Sequence, residues 1–174
     1  MDISELTVNE LLRQHTAIID ELKRRKIVRT QNNPIGDYTE WLVAKGLGLE
    51  LAGNSSAGYD GIDADGVKIQ IKRRRITPEN KSRQLGAIRK LKEKDFDQLA
   101  AVIFNEKFEI LDAVLIPHAV IEEYATYRSH VNAHILHLKG PILNDPRIKD
   151  IKDTLKSISA AKNGIVWNYE TRRR

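Results

Sequence analysis

The chain has 174 residues, 41% of them apolar, enough for one buried core, and the usual span of about 100 to 200 residues per domain leaves no room for a second of full size. It contains no cysteine, which excludes disulfides and thiolate metal sites and leaves oxygen or imidazole ligands for any metal. Net charge is +5, but Lys68 to Lys94 alone carry eleven Lys or Arg against Glu79 and Glu93, a local +9 that leaves −4 for the remainder. Charge concentrated in this way is the footprint of a phosphate-backbone binder, with a solvated basic surface as the alternative.

The first residues, Met1 to Glu5, show no charged-then-apolar leader, and no apolar run approaches the roughly 18 residues of a membrane span, so a soluble, cytoplasmic protein without a membrane partner is expected. Residues 5 to 27 carry Leu11, Leu12, Ile18, Ile19 and Leu22 at helical spacing. They predict an amphipathic helix whose stripe needs a partner, either the core or the same helix of a second copy. Asn33 as a cap followed by Pro34 predicts the start of another helix, ending near Gly46 or Gly48.

Leu49 to Ala52 reads as a short strand, and Tyr59 to Asp63 and Val67 to Arg75 as two strands joined at Ala64, Asp65 and Gly66. A basic loop and helix are expected from about Lys81 to Lys94. Leu99 to Phe104 and Phe108 to Ile116 are apolar enough to be core strands of one sheet. Pro117 opens a helix through about Tyr127, His134 to Leu138 reads as a terminal edge strand, and Asp150 to Ala161 as a last amphipathic helix. The expected organisation is a helical extension over residues 1–32, a core over 33–128 and a C-terminal extension over 129–174 packed on that core.

Chemistry concentrates in the hairpin. Val67, Ile69 and Ile71 alternate with Lys68, Gln70 and Lys72, so one strand face is apolar and the other polar as far as Arg74. A three-residue loop with Gly66 in the left-handed position pairs Asp63 with Val67 and hence Asp60 with Gln70. Opposed residues have Cβ atoms about 4.5 to 5.5 Å apart, so Asp60, Gln70 and Lys72 converge on one patch; a two-residue turn would undo this. Mg²⁺ takes oxygen ligands and usually only one or two carboxylates. Asp60 supplies a carboxylate, Gln70 a neutral carbonyl oxygen, and the Lys72 ammonium a charge for a scissile phosphate or an attacking water.

The run Gly58 to Asp63, then Asp65 and Gly66, then Ile69 to Arg73 resembles the core motif of the PD-(D/E)XK nuclease superfamily, and within it the Mrr-like restriction endonucleases in which glutamine replaces the second acid. The resemblance covers roughly Asn33 to Phe104. It implies an α/β, restriction-endonuclease-like fold, a mixed sheet flanked by helices in α-β-β-β-α-β order, with the N-terminal amphipathic helix added. It also implies a Mg²⁺-dependent endonuclease, with Mn²⁺ as an alternative, that hydrolyses DNA phosphodiesters in restriction, repair or defence. Residue by residue, Asp60 becomes the principal metal ligand, Gln70 the second ligand, Lys72 the catalytic lysine, and Glu40 on the preceding helix the further acid near the metal.

Two features cut against full activity of that kind. Gln70 is neutral, which leaves a catalytically inactive, nuclease-fold nucleic-acid-binding module as the alternative. No target-recognition segment is evident, so specificity would come from a separate subunit or the flanking segments, and a homodimer is a further expected partner. A third reading is a structural partner protein assembled through the N-terminal helix.

If DNA binds, Lys68, Arg73, Arg74, Arg75, Lys81 and Arg83 are the expected phosphate contacts, with Ser82, Arg83 and Gln84 at the start of the basic helix offering backbone N–H groups to an anion. Asp63 and Asp65 precede a tight turn and are first of all turn residues. His130, His134 and His137 would share a face on a continuous helix, but the segment turns strand-like at Ile135. Trp41 and Trp167 read as packing residues, and Arg172 to Arg174 as a frayed tail.

Overall fold

A computed structural model describes residues 2–53 and 58–160. The architecture is mixed α/β: a six-stranded, mostly antiparallel sheet flanked by helices on both faces. None of the described helices is long and apolar enough to cross a membrane. Trp167, Arg172 to Arg174 and the end of the last predicted helix at Ala161 lie outside the described residues.

Helix α1, Val8–Arg24, starts where a capping box allows it: the Glu10 carboxylate accepts from the Thr7 N–H at 2.8 Å, and the Glu10 N–H donates back to Thr7 Oγ1 at 3.4 Å. Of its whole length only Ile19 is buried. Helix α2, Ile35–Leu47, begins one residue later than predicted, with Pro34 rather than Asn33 at the cap position, although Asn33 Oδ1 accepts the Ile35 N–H at 3.2 Å, and it ends at Gly48, whose φ of 68° suits glycine. Strand β1, Glu50–Leu51, then pairs antiparallel with β2, Gly61–Ile62, which pairs antiparallel with β3, Lys68–Arg75.

The hairpin has the predicted register, Gly61 opposite Ile69 and Ile62 opposite Lys68. That offset sets Asp60, just outside the ladder, against Gln70. Gly66 takes φ 83°, and Asp63 Oδ1 accepts the N–H groups of both Asp65 and Val67 at 2.9 Å. The Asp63 carboxylate therefore belongs to the turn.

Strand β4, Gln98–Phe104, runs parallel to β3, and β5, Ile110–Pro117, antiparallel to β4. From Leu99 onward every β4 residue is buried, because both of its faces are covered. Leu99, Ala101 and Ile103 join one apolar cluster, and Ala100, Val102 and Phe104 the other. Burying large side chains of this kind contributes about 1.5 to 3 kcal/mol each. Helices α2 and α4, Lys152–Ala160, cover the second cluster through Leu42, Val43 and Leu155. Helix α3, His118–Tyr124, covers the first with Val120 and Ile121 and stops short of the predicted Tyr127. A short β8, Lys149–Asp150, closes the sheet beside β5.

Two expectations fail. The basic helix from Lys81 to Lys94 does not form; the crossover from β3 to β4 is irregular except for a 3-10 turn at Leu91–Glu93. Its backbone bonds to another segment instead of to itself: Leu85 N–H donates to Leu136 at 2.9 Å, Ile88 and His134 exchange bonds at 2.9 and 2.8 Å, and Leu138 N–H donates to Arg83 at 3.1 Å. Gly86 lies in the middle of this stretch, where it weakens a helix, and Leu85 and Ile88 bury fully in the extended form. The predicted edge strand His134 to Leu138 is also displaced. Its regular part, β7, Ala133–Ile135, pairs with β6, Thr126–Arg128, in a separate two-stranded sheet, and the segment meets the crossover through isolated bridges, Ile88 with His134 and Gln84 with His137.

Candidate active site

Alternation along β3 sends Ile69 and Ile71 into the α2 side of the core and turns Gln70, Lys72 and Arg74 to the opposite face, level with Leu99, Ala101 and Ile103 of β4. Over that polar row runs the irregular crossover, and a Cβ on Gly86 would stand 3.7 Å from Cδ of Lys72. An ordinary amphipathic edge strand would leave these side chains in water. Here they are partly buried.

Asp60 is half-buried, and its Oδ2 accepts the Ile71 N–H at 2.6 Å, a charge-assisted bond that fixes the carboxylate at the mouth of the hairpin. Gln70 donates its amide N–H to the Gly58 carbonyl at 3.1 Å. A carbonyl only accepts, so this bond settles the amide's orientation and leaves Oε1 as the free end. That Oε1 is buried without a hydrogen-bond partner among the described residues. Orphaned buried oxygens cost about 1 to 3 kcal/mol and are uncommon.

Lys72 forms no hydrogen bond or ion pair among the described residues. Burial lowers its pKa, with help from the nearby positive charges of Arg73 and Arg89 and against the pull of Asp60 and Glu40. Glu40, on α2, belongs to the same electrostatic neighbourhood. Burial raises its pKa, Asp60 and Asp37 add to the rise, and Arg29 and Arg73 oppose it. Its Oε2 lies 2.5 Å from Arg29 Nη2, so in this arrangement Glu40 is held by an ion pair.

A divalent cation can be tested against these side chains. The donors are all oxygen, the choice of a hard cation such as Mg²⁺. Asp60 brings one carboxylate, and the unpartnered Gln70 Oε1 is a neutral oxygen already desolvated. Asp60 and Gln70 offer oxygens to such a cation; Glu40, on the α2 side and held by Arg29, does not in this arrangement. No group of three His, Cys, Asp or Glu able to hold a metal occurs among the described residues, so the set is at most two acids and an amide.

The expected phosphate contacts scatter. Lys68 is exposed with its Nζ 5.3 Å from the Tyr59 ring centre, and Lys81 is exposed. Arg73 lies against α2, where a Cβ on Gly36 would stand 2.6 Å from its Nη2. Arg74 Nε donates to the Ser82 carbonyl at 3.1 Å, and Arg75 stacks 4.8 Å over the Phe108 ring. Arg83 pairs with Asp112 and donates to the Leu138 carbonyl at 2.7 Å, so it is a tie within the fold; with no helix there, the anticipated anion site at Ser82, Arg83 and Gln84 has no basis. His130 and His134 sit in a 3-10 turn and in β7, not on one helix face. Trp41 packs against Tyr38, ring centres 6.1 Å apart.

Three residues near the site carry roles the sequence reading did not give them. Gly58 orients Gln70 through its carbonyl, and its φ of 91° with Asp95 Cβ only 2.2 Å from a notional Cβ makes it a glycine by necessity. The glycine at the head of the motif was the available signal. Arg29 and Arg89 have none, since they meet Glu40 and the field of Lys72 only through the fold.

No family model and no curated protein matches this chain.

Proposed function

We propose that the chain is a Mg²⁺-dependent nuclease of the PD-(D/E)XK, restriction-endonuclease-like type, hydrolysing DNA phosphodiesters. The observation that carries this reading is Gln70 Oε1, buried and unpartnered on the row that also bears Lys72, across the hairpin from Asp60. A core made for stability alone would satisfy or replace that oxygen.

In this reading Asp60 and Gln70 hold Mg²⁺ or Mn²⁺. Such a cation, when bound, supplies Lewis-acid polarisation of the phosphodiester and acidifies water. Asp60 is kept in position by the Ile71 N–H, and Gln70 by the Gly58 carbonyl, so neither needs to reorganise. Lys72 holds its proton at Nζ beside the charge that develops on the phosphate, and its lowered pKa makes it readier to give that proton up. The exposed crossover lysines attract the DNA backbone.

The test is cleavage of supercoiled plasmid with Mg²⁺ or Mn²⁺, lost in Asp60→Asn and Lys72→Met while far-UV circular dichroism is kept. A second reading, a nucleic-acid-binding module without catalysis, is favoured by the 2.5 Å grip of Arg29 on Glu40 and by the neutral Gln70. Salt-sensitive DNA binding with no cutting under any divalent metal would select it. Restriction, repair or defence as the setting, and a separate specificity subunit, belong to the first reading.

A further inference from the structure

Helix α1 is the one described element whose chemistry and surroundings disagree. Its apolar stripe is strong, yet Val8 is 75%, Leu12 64%, Ile18 59% and Leu11 40% exposed. Only its C-terminal half touches the body. There a groove of about 710 Å³ opens between Ile18, Ile19 and Leu22 on the helix and Ile27, Tyr38 and Phe108 on the body. The far wall is built at some conformational cost: Phe108 holds φ 62°, rare for an aromatic residue, with its ring against Tyr38 at 6.5 Å and Arg75 above it.

We infer that this groove is filled by the N-terminal half of α1 from a second copy of the chain, the two helices lying antiparallel about a two-fold axis near His15. The stripe has the symmetry this needs. Val8 and Leu22 are each seven residues from His15, Leu11 and Ile19 each four, and Leu12 and Ile18 each three. A reversed copy therefore repeats the same apolar spacing and brings Val8, Leu11 and Leu12 onto the groove-lining Leu22, Ile19 and Ile18, once on each side of the axis. Charge sets the direction. Residues 2–10 carry Asp2, Glu5 and Glu10 and no base, whereas residues 20–28, which face them across that axis, carry Lys23, Arg24, Arg25 and Lys26 against Asp20 and Glu21, so the two ends hold −3 and +2. Antiparallel pairing lays the acidic end of one helix along the basic end of the other and opposes the helix dipoles; parallel pairing would set like against like.

This assembly is independent of hydrolysis at the hairpin and is read without DNA or metal. In sedimentation or light scattering at micromolar concentration, the chain is expected at twice its 19.8 kDa. Leu12→Asp with Ile18→Asp should weaken pairing by about 100-fold or more at unchanged helix content. Because the chain has no cysteine, direction can be read covalently on a nearly intact surface. Val8→Cys mixed with Leu22→Cys should oxidise to a disulfide-linked dimer, and Val8→Cys alone should not. A wild-type monomer at these concentrations overturns the inference, as does self-linking of Val8→Cys without linking to Leu22→Cys.

Discussion

Gln70 and Gly58 are joined by one hydrogen bond of 3.1 Å, and that bond decides which end of the glutamine amide is left over. The nitrogen is spent on the Gly58 carbonyl, and the oxygen remains buried with no partner among the described residues. Gln70→Glu replaces that neutral oxygen by a carboxylate. Without metal the variant should be less stable at neutral pH, because it buries a second carboxylate near Asp60 that Lys72 offsets only in part. With Mg²⁺ or Mn²⁺ it should recover, binding metal about 10-fold tighter than wild type or more, read as a metal-dependent rise in Tm and by calorimetric titration. A Tm in Gln70→Glu that is indifferent to divalent metals would argue against a cation at this position.

Asp60 and Lys72 separate stability from activity. Asp60→Asn keeps an acceptor for the Ile71 N–H and should change stability by less than about 1 kcal/mol. Lys72→Met removes a partly buried charge and should be neutral to stabilising by up to about 1 kcal/mol, a Tm rise of about 2 to 4 °C. Both should lower plasmid cleavage by about 100-fold or more. Loss of cutting together with retained or raised Tm is the signature of a residue kept for chemistry.

Glu40 gives a pH dependence of defined sign. Its folded pKa is raised above the ordinary 4.5, so the folded chain binds the proton more tightly than the unfolded one. The stability this contributes is fully present below pH 4.5 and is lost as pH rises through the folded value. Glu40→Gln, which does not titrate, should therefore gain on wild type as pH increases from 4.5 upward. Urea midpoints measured in metal-free buffer across that range check it; a difference that stays flat or runs the other way would remove burial as the dominant cause.

Two glycines of positive φ should differ. Gly66, at 83°, has open space where a Cβ would go, and Gly66→Ala should cost about 1 kcal/mol. Gly58, at 91°, has Asp95 Cβ within 2.2 Å of that position, and Gly58→Ala should cost about 3 kcal/mol or more while loosening Gln70. Equilibrium denaturation ranks the pair directly.

If DNA is the partner, the crossover lysines and Arg83 should behave differently. Lys81→Ala, Lys92→Ala and Lys94→Ala, all on exposed side chains, should each reduce the slope of log affinity against log salt by about 1. Arg83→Ala should leave that slope unchanged and instead lower stability by about 1 to 2 kcal/mol, through loss of its bonds to Asp112 and Leu138.

What the amino-acid sequence determined by itself is the short-range geometry. A period-two pattern, a three-residue turn and a glycine suited to positive φ fix the hairpin register, and Asn33-Pro34 marks the start of α2 to within one residue. Those features follow from local sterics and hydrogen bonding, which act between near neighbours in the chain. Only the tertiary structure decided the rest. Lys81 to Lys94 has helical composition, but its backbone is claimed by residues 134–138, about fifty positions away, and so it crosses the site as an irregular strap. Arg83 reaches Asp112, 29 positions away, by closure of the same kind, and Arg29 meets Glu40 across the loop that leads into α2. The polar row Gln70 and Lys72 could be written down from alternation alone. That it is partly buried, with one oxygen left unsatisfied, depends on the chain that folds over it.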